Sequence, residues 1–109
     1  MQEPTPKQAL DAARKLAASG QLGVHHRCMP YLRLLTLSVE AAREIVANAT
    51  PSQVIKSERD RDPSRPYWVL ELSVPHENSP TGLLYVKPVL YLPSSLCSGY
   101  ILSFKPSTD

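Results

Sequence analysis

A phenol, a hydroxyl and two ammonium groups share one surface wherever two short runs near the C-terminus form strands. The runs are Gly82-Leu83-Leu84-Tyr85-Val86-Lys87 and Gly99-Tyr100-Ile101-Leu102-Ser103-Phe104-Lys105. Alternation sends Tyr85 and Lys87, with Ser103 and Lys105, to one face, and Val86, Leu102 and Phe104 to the other. The apolar face belongs in a core. The polar face suits a ligand carrying phosphates, because ammonium and hydroxyl donors make charge-assisted hydrogen bonds to phosphate oxygens.

Several other chemistries are excluded by what the chain lacks. Its 109 residues fit one domain and not two. With 12 Lys and Arg against 10 Asp and Glu, the formal charge of +2 is too small to bind nucleic acid by bulk electrostatics, so such binding needs local clustering. Two lone cysteines and three histidines lack the paired spacing of a zinc site, and no glycine-rich phosphate loop or nucleophile elbow is present. Adjacent His25 and His26 point in different directions and chelate poorly, and nothing beside Cys28 or Cys97 activates a thiol. No metal and no cofactor are expected. Apolar runs are too short for a membrane span, and Glu3, Pro4 and Lys7 stand where a secretory signal needs apolar residues. A cytoplasmic protein with reduced thiols follows.

The elements that position the polar strands read in order. Thr5-Pro6-Lys7-Gln8 is a helix start with a capping box, Leu10, Ala13, Leu16 and Ala17 recur at helical spacing, and Gly20 ends a helix over 6–19. Residues 21–36 are read as a loop or a short turn of helix, interrupted by Pro30. Ser38 caps a second helix through Ala49, with Val39, Ala42, Ile45, Val46 and Ala49 as its buried stripe. Thr50-Pro51-Ser52-Gln53 repeats the first start signal and predicts a third short helix carrying Val54, Ile55 and Lys56. The charged segment 57–66 is an exposed loop.

A strand over 67–74 follows, with Trp68, Leu70, Leu72 and Val74 toward the core and Tyr67, Val69, Glu71 and Ser73 opposite. Next come a polar loop over 75–80, a strand over 82–92, a turn at 93–95 and a last strand to Lys105. Pro88 cannot donate to a ladder, so the middle strand must bend, bulge or leave an edge unpaired there. The pattern is α+β: two to three N-terminal helices packed on one face of a small twisted antiparallel sheet.

These residues also resemble a known family. Thr5-Pro6, Leu10, Arg14-Lys15-Leu16 and Gly20-Gln21 are similar to the opening of the motility quorum-sensing regulator (MqsR) toxins, a group of RelE-like ribonucleases. Thr81-Gly82-Leu83-Leu84-Tyr85-Val86-Lys87 and Leu102-Ser103-Phe104-Lys105 resemble that family's Gly-x-x-Tyr-x-Lys and Ser-Phe-Lys strands. Ile55-Lys56-Ser57 resembles its Tyr-Lys-Ser, and Trp68 its strand tryptophan. The resemblance implies a toxin that cleaves messenger RNA without metal, is neutralised by a cognate antitoxin, and contacts DNA only indirectly through that complex. It carries over Lys56, Tyr85 and Lys105 as catalytic residues. The family's glutamine after the tryptophan falls on Val69, and its Asp-His pair gives way to a segment containing proline and arginine.

The implied chemistry is attack of a ribose 2′-hydroxyl on its own phosphodiester. It needs a base, positive charge on the phosphate oxygens and an acid for the leaving oxygen. Lys56 and Lys105 would clamp the phosphate, and Tyr85 would orient or protonate an oxygen. Lysine or tyrosine can act as base only with a lowered pKa, so Glu71, on the face of Val69, is expected to replace the missing glutamine as base or acceptor. Arg59, Arg61, Arg65, Lys87 and Trp68 are the expected RNA-binding residues on single-stranded messenger RNA. The competing expectation is a catalytically decayed member that serves as a protein-binding or co-repressor module with its antitoxin.

Overall fold

Thr5 and Gln8 close the first helix reciprocally: the Gln8 amide donates to the Thr5 hydroxyl at 3.1 Å and the Thr5 amide to the Gln8 side chain at 2.9 Å. The computed structural model describes residues 3–92 and 96–107. Helix α1 (Pro6–Ala18) ends where Gly20 takes φ +74°, and the Gly20 and Gln21 amides turn back to the carbonyls of Ala17 and Leu16. Ala9, Leu10, Ala13, Leu16 and Ala17 are its buried face.

The segment read as a loop or a short turn of helix contains that helix and more. Strand β1 (Gly23–Val24) is followed by a 3₁₀ turn at His26–Cys28 and by α2 (Met29–Leu34). Two residues in a strand give no alternation to detect. Helix α3 (Val39–Ala47) is capped by the Ser38 hydroxyl, which accepts from the Ala41 amide at 3.0 Å, and buries Ala42 and Val46.

The second Thr-Pro-x-Gln signal corrects the sequence reading. Its capping box forms, but it closes a single 3₁₀ turn, Pro51–Gln53, and the chain then extends as β2 (Val54–Arg59). β-Branched Val54 and Ile55 favour the extended chain over a continued helix. Lys56 therefore comes from a strand and not from a third helix. The same correction shortens the charged loop, since Ser57, Glu58 and Arg59 belong to β2.

Strands β3 (Tyr67–Pro75), β4 (Leu83–Tyr91) and β5 (Gly99–Pro106) complete a five-stranded sheet in the order β1-β5-β4-β3-β2. β3 to β5 form the expected antiparallel meander, and β2 extends it by a fourth, unexpected strand. β1 adds a parallel edge on β5, so the sheet is mixed. The expected turn at 93–95 lies outside the described residues.

Helices α1 and α3 pack together, and the core lies between the helices and one face of the sheet. Trp68, Leu70, Leu72, Leu84, Val86, Leu90 and Phe104 all enter it. Truncating a ring such as Phe104, 1% exposed, to alanine costs about 3–5 kcal/mol in a site of this kind. The fold is α+β, with N-terminal helices on a twisted sheet. Among the described residues, no helix covers the other sheet face.

Candidate functional site on the open sheet face

Two bulges decide which side chains reach the open face. Val54 pairs with Leu72 and Lys56 with Glu71, so Ile55 is an extra residue on β2, and it points outward at 60% exposure. Without that insertion, Lys56 would share a face with Val54 and point at the helices. The second bulge sits where Pro88 withholds its N–H. Lys87 pairs with Ser103 and Pro88 with Ile101, making Leu102 the extra residue on β5.

This second bulge reverses the phase of β5. Ile101, fully buried, joins Phe104 in the core, while Leu102, placed on the core face by simple alternation, is only half-buried and lies outside it. Val89 pairs with Tyr100, which puts Tyr100 on the open face with Ser103 and Lys105.

At one end of this face the structure brings together four residues singled out from the sequence: Lys56, Glu71, Tyr85 and Lys105. The Lys56 ammonium lies 3.0 Å from the Glu58 carboxylate and 3.4 Å from that of Glu71. Glu71 also lies close enough to the Tyr85 hydroxyl for its carboxylate to raise the phenol's pKa. Lys105 is Tyr85's cross-strand partner, and its ammonium lies 5.4 Å from the ring centroid, within cation–π range. Glu71 is thus the hub, with an ammonium on one side and a phenol on the other.

The electrostatics separate the roles. The hydrogen bond that the Lys56 ammonium donates to Glu58 raises its pKa most, desolvation opposes it, and the bond donated to Glu71 with the charges of both carboxylates adds to the rise, so the side chain stays cationic. Tyr85 is pushed up to about 12, first by burial and then by the Glu71 carboxylate. Both shifts run opposite to what a base requires. Within the cluster, Glu71 is left to accept a proton, Tyr85 to donate one and the two lysines to hold negative charge.

Val69 is 6% exposed and packs opposite Val89 on this same face. Trp68 is a correction. It is 6% exposed on the core side and its indole N–H donates to the Ser57 hydroxyl at 2.9 Å, so no ring face is available to RNA.

The arginines lie elsewhere than expected. Arg59 pairs with Trp68 and so projects to the helix side, and Arg61 is exposed in the β2–β3 loop. Arg65 lies 3.6 Å from Asp62, whose carboxylate also accepts from the Ser64 amide and hydroxyl, and these bonds hold its pKa down. The loop therefore adjoins the far end of the open face and not Lys56. Lys87 stays on the open face, half-buried opposite Ser103. Among the described residues, Lys87 and Lys105 make no ion pair.

What sequence reasoning missed is a group of rings at that far end: Tyr67, Tyr91, Tyr100 and His25. Tyr67 and Tyr91 were readable from alternation. Tyr100 was not, because its side depends on the bulge. Among the described residues, no three His, Cys, Asp or Glu are grouped to hold a metal ion, and no helix is long and apolar enough to cross a membrane. No protein-family model matches the chain, and no curated protein matches it.

Proposed function

We propose that this protein is an endoribonuclease that cleaves messenger RNA without metal, the toxin of a pair whose second member is a neutralising protein. One observation carries the reading: Lys56, Glu71, Tyr85 and Lys105, drawn from four strands, meet on the uncovered sheet face with acid, base and cationic roles separated. Glu71 takes the 2′-hydroxyl proton as the O2′–P bond forms. Lys56 and Lys105 neutralise the phosphorane oxygens. Tyr85 gives its proton to O5′ as the P–O5′ bond breaks, leaving a 2′,3′-cyclic phosphate and a 5′-hydroxyl.

Purified protein and a synthetic single-stranded RNA, incubated with chelator, should yield fragments with those ends. Lys56→Ala should slow cleavage by roughly 10²- to 10³-fold, the scale of losing one charge-stabilising donor. A wild type that neither cuts RNA, with or without ribosomes, nor arrests growth when expressed alone overturns the reading.

A second reading has its own support. Lys56 is already neutralised by two carboxylates, with which an incoming phosphate must compete, and Val69 offers no side-chain donor. Both features suit a decayed enzyme that only binds its partner. Partner binding that survives Lys56→Ala in a protein without nuclease activity favours that reading.

A further inference from the structure

The open face has a second end that the proposed cleavage chemistry does not use. Tyr67 and Tyr91 are cross-strand partners with ring centroids 5.7 Å apart, and the Tyr67 and Tyr100 rings meet edge to face at 6.0 Å and 82°. Burial, and then the neighbouring Tyr67, push the Tyr100 pKa up. His25 is tethered to β5 by its amide, which donates to the Ile101 carbonyl at 2.9 Å, and its ring lies 6.1 Å from that of Tyr100. His26 stacks behind it at 4.3 Å. The rings stand beside Val69 and Val89, an apolar floor separate from the main core, yet Tyr91 is 37% exposed and His25, Tyr67 and Tyr100 are only half-buried.

A water-facing aromatic group costs apolar exposure, which a flat π-surface ligand would remove. An edge-to-face pair also leaves ring faces that the two partners do not cover for each other. Position supplies the second argument. From Glu71 to Tyr67 is four residues along β3, about 13 Å, which a stacked strand crosses in about four nucleotides at ~3.4 Å each. Where the two ends adjoin, level with Glu71 in the β3–β4 register and two residues from Val89, stands Lys87, which makes no ion pair among the described residues and is placed for a phosphate next to the one at Lys56.

We propose that Tyr67, Tyr100 and His25 form a shelf on which bases of a single-stranded RNA stack, a few nucleotides from the phosphate held between Lys56 and Lys105. The occupant rests on the ribonuclease reading above. Stacking tolerates any base, so the shelf lengthens the bound segment without reading its sequence.

The test is anisotropy titration of a fluorescein-labelled, fully 2′-O-methylated RNA heptanucleotide, which cannot be cleaved, across a range of salt. Tyr100→Ser and Tyr67→Ser should each weaken binding about 5- to 150-fold, the scale of losing one base–aromatic stack. Tyr100→Phe, which keeps the ring, should stay within about twofold of wild type. The slope of log affinity against log salt should be unchanged in all three, because no phosphate contact is lost. Should a serine variant fail to fold, His25→Ala, outside the strands, provides the same comparison.

Wild type that binds while Tyr100→Ser, Tyr67→Ser and His25→Ala bind equally well overturns the shelf and leaves the ribonuclease reading standing. Loss of binding in the ring variants, alongside a wild type that never cuts unmodified RNA, keeps the shelf and overturns the ribonuclease reading. A wild type that does not bind the heptanucleotide overturns the shelf, and the cleavage assay decides the ribonuclease reading separately.

Discussion

The two ends of the open sheet face differ in what holds them. At one end Lys56, Glu58, Glu71, Tyr85 and Lys105 are linked by charge, with Glu71 at the centre. At the other, Tyr67, Tyr91, Tyr100 and His25 meet through ring contacts over an apolar floor. The same β3 and β4 strands run through both. The contrast shows how one sheet face can present two chemistries side by side: opposed charges held at short distance at one end, and exposed rings at fixed spacing at the other.

The sharpest way to break the contrast is at its hub. Glu71→Gln keeps the shape and removes the charge, and in a cleavage assay it should lose roughly 10²- to 10⁴-fold in rate, the range of general acid–base help. If the loss is less than tenfold, Glu71 only positions Lys56 and Tyr85.

Next in size is a change confined to the aromatic end. A Cβ on Gly99 would lie 2.4 Å from the Val89 carbonyl oxygen, a backbone atom that cannot step aside. Gly99→Ala should destabilise the protein by about 1–3 kcal/mol, as overpacking does, in urea unfolding, because it pries β5 from β4 beside Tyr100.

Alkaline stability sharpens the charged end. Tyr85 has a folded-state pKa of about 12 against an ordinary 10.0. Its protonated form therefore stabilises the fold fully below about pH 10, and that contribution is lost as pH rises through about 12. Lys56, also pushed up, acts in the same direction. Urea midpoints of wild type should fall through this window, and Tyr85→Phe should flatten the fall. An equally steep fall in the variant would mean that ionisation of the half-buried Tyr85 phenol does not drive the alkaline loss.

The smallest expected effect lies where the ends adjoin. Lys87→Ala should reduce the salt slope of single-stranded RNA binding by about 0.7, the value of one phosphate contact, with little change in the cleavage rate of a bound substrate. An unchanged slope removes Lys87 from the RNA path.

Much of the fold was legible because its signals are local. Thr5, Pro6, Gln8 and Gly20 fixed α1 at both ends, Ser38 capped α3, and the alternation of Trp68, Leu70, Leu72 and Val74 gave β3 its core side. A proline in β4 announced an irregularity, and a bulge lies at Pro88. The resemblance pointed to Lys56, Tyr85 and Lys105, which meet in the structure together with Glu71. Trp68 was misassigned to RNA because a motif match says nothing of which face a ring takes. The aromatic end was passed over because its members are scattered from His25 to Tyr100.

What the sequence determined by itself was therefore most of the inventory: helices α1 and α3, the β3–β5 meander and the core residues of α1, α3 and β3. What only the tertiary structure decided was the facing of Lys56 and Tyr100 and the parallel docking of β1 on β5. A strand has a side-chain period of two, so one inserted residue reverses every later side chain. Whether a residue is inserted depends on the partner strand's register, which no local pattern in β2 or β5 records.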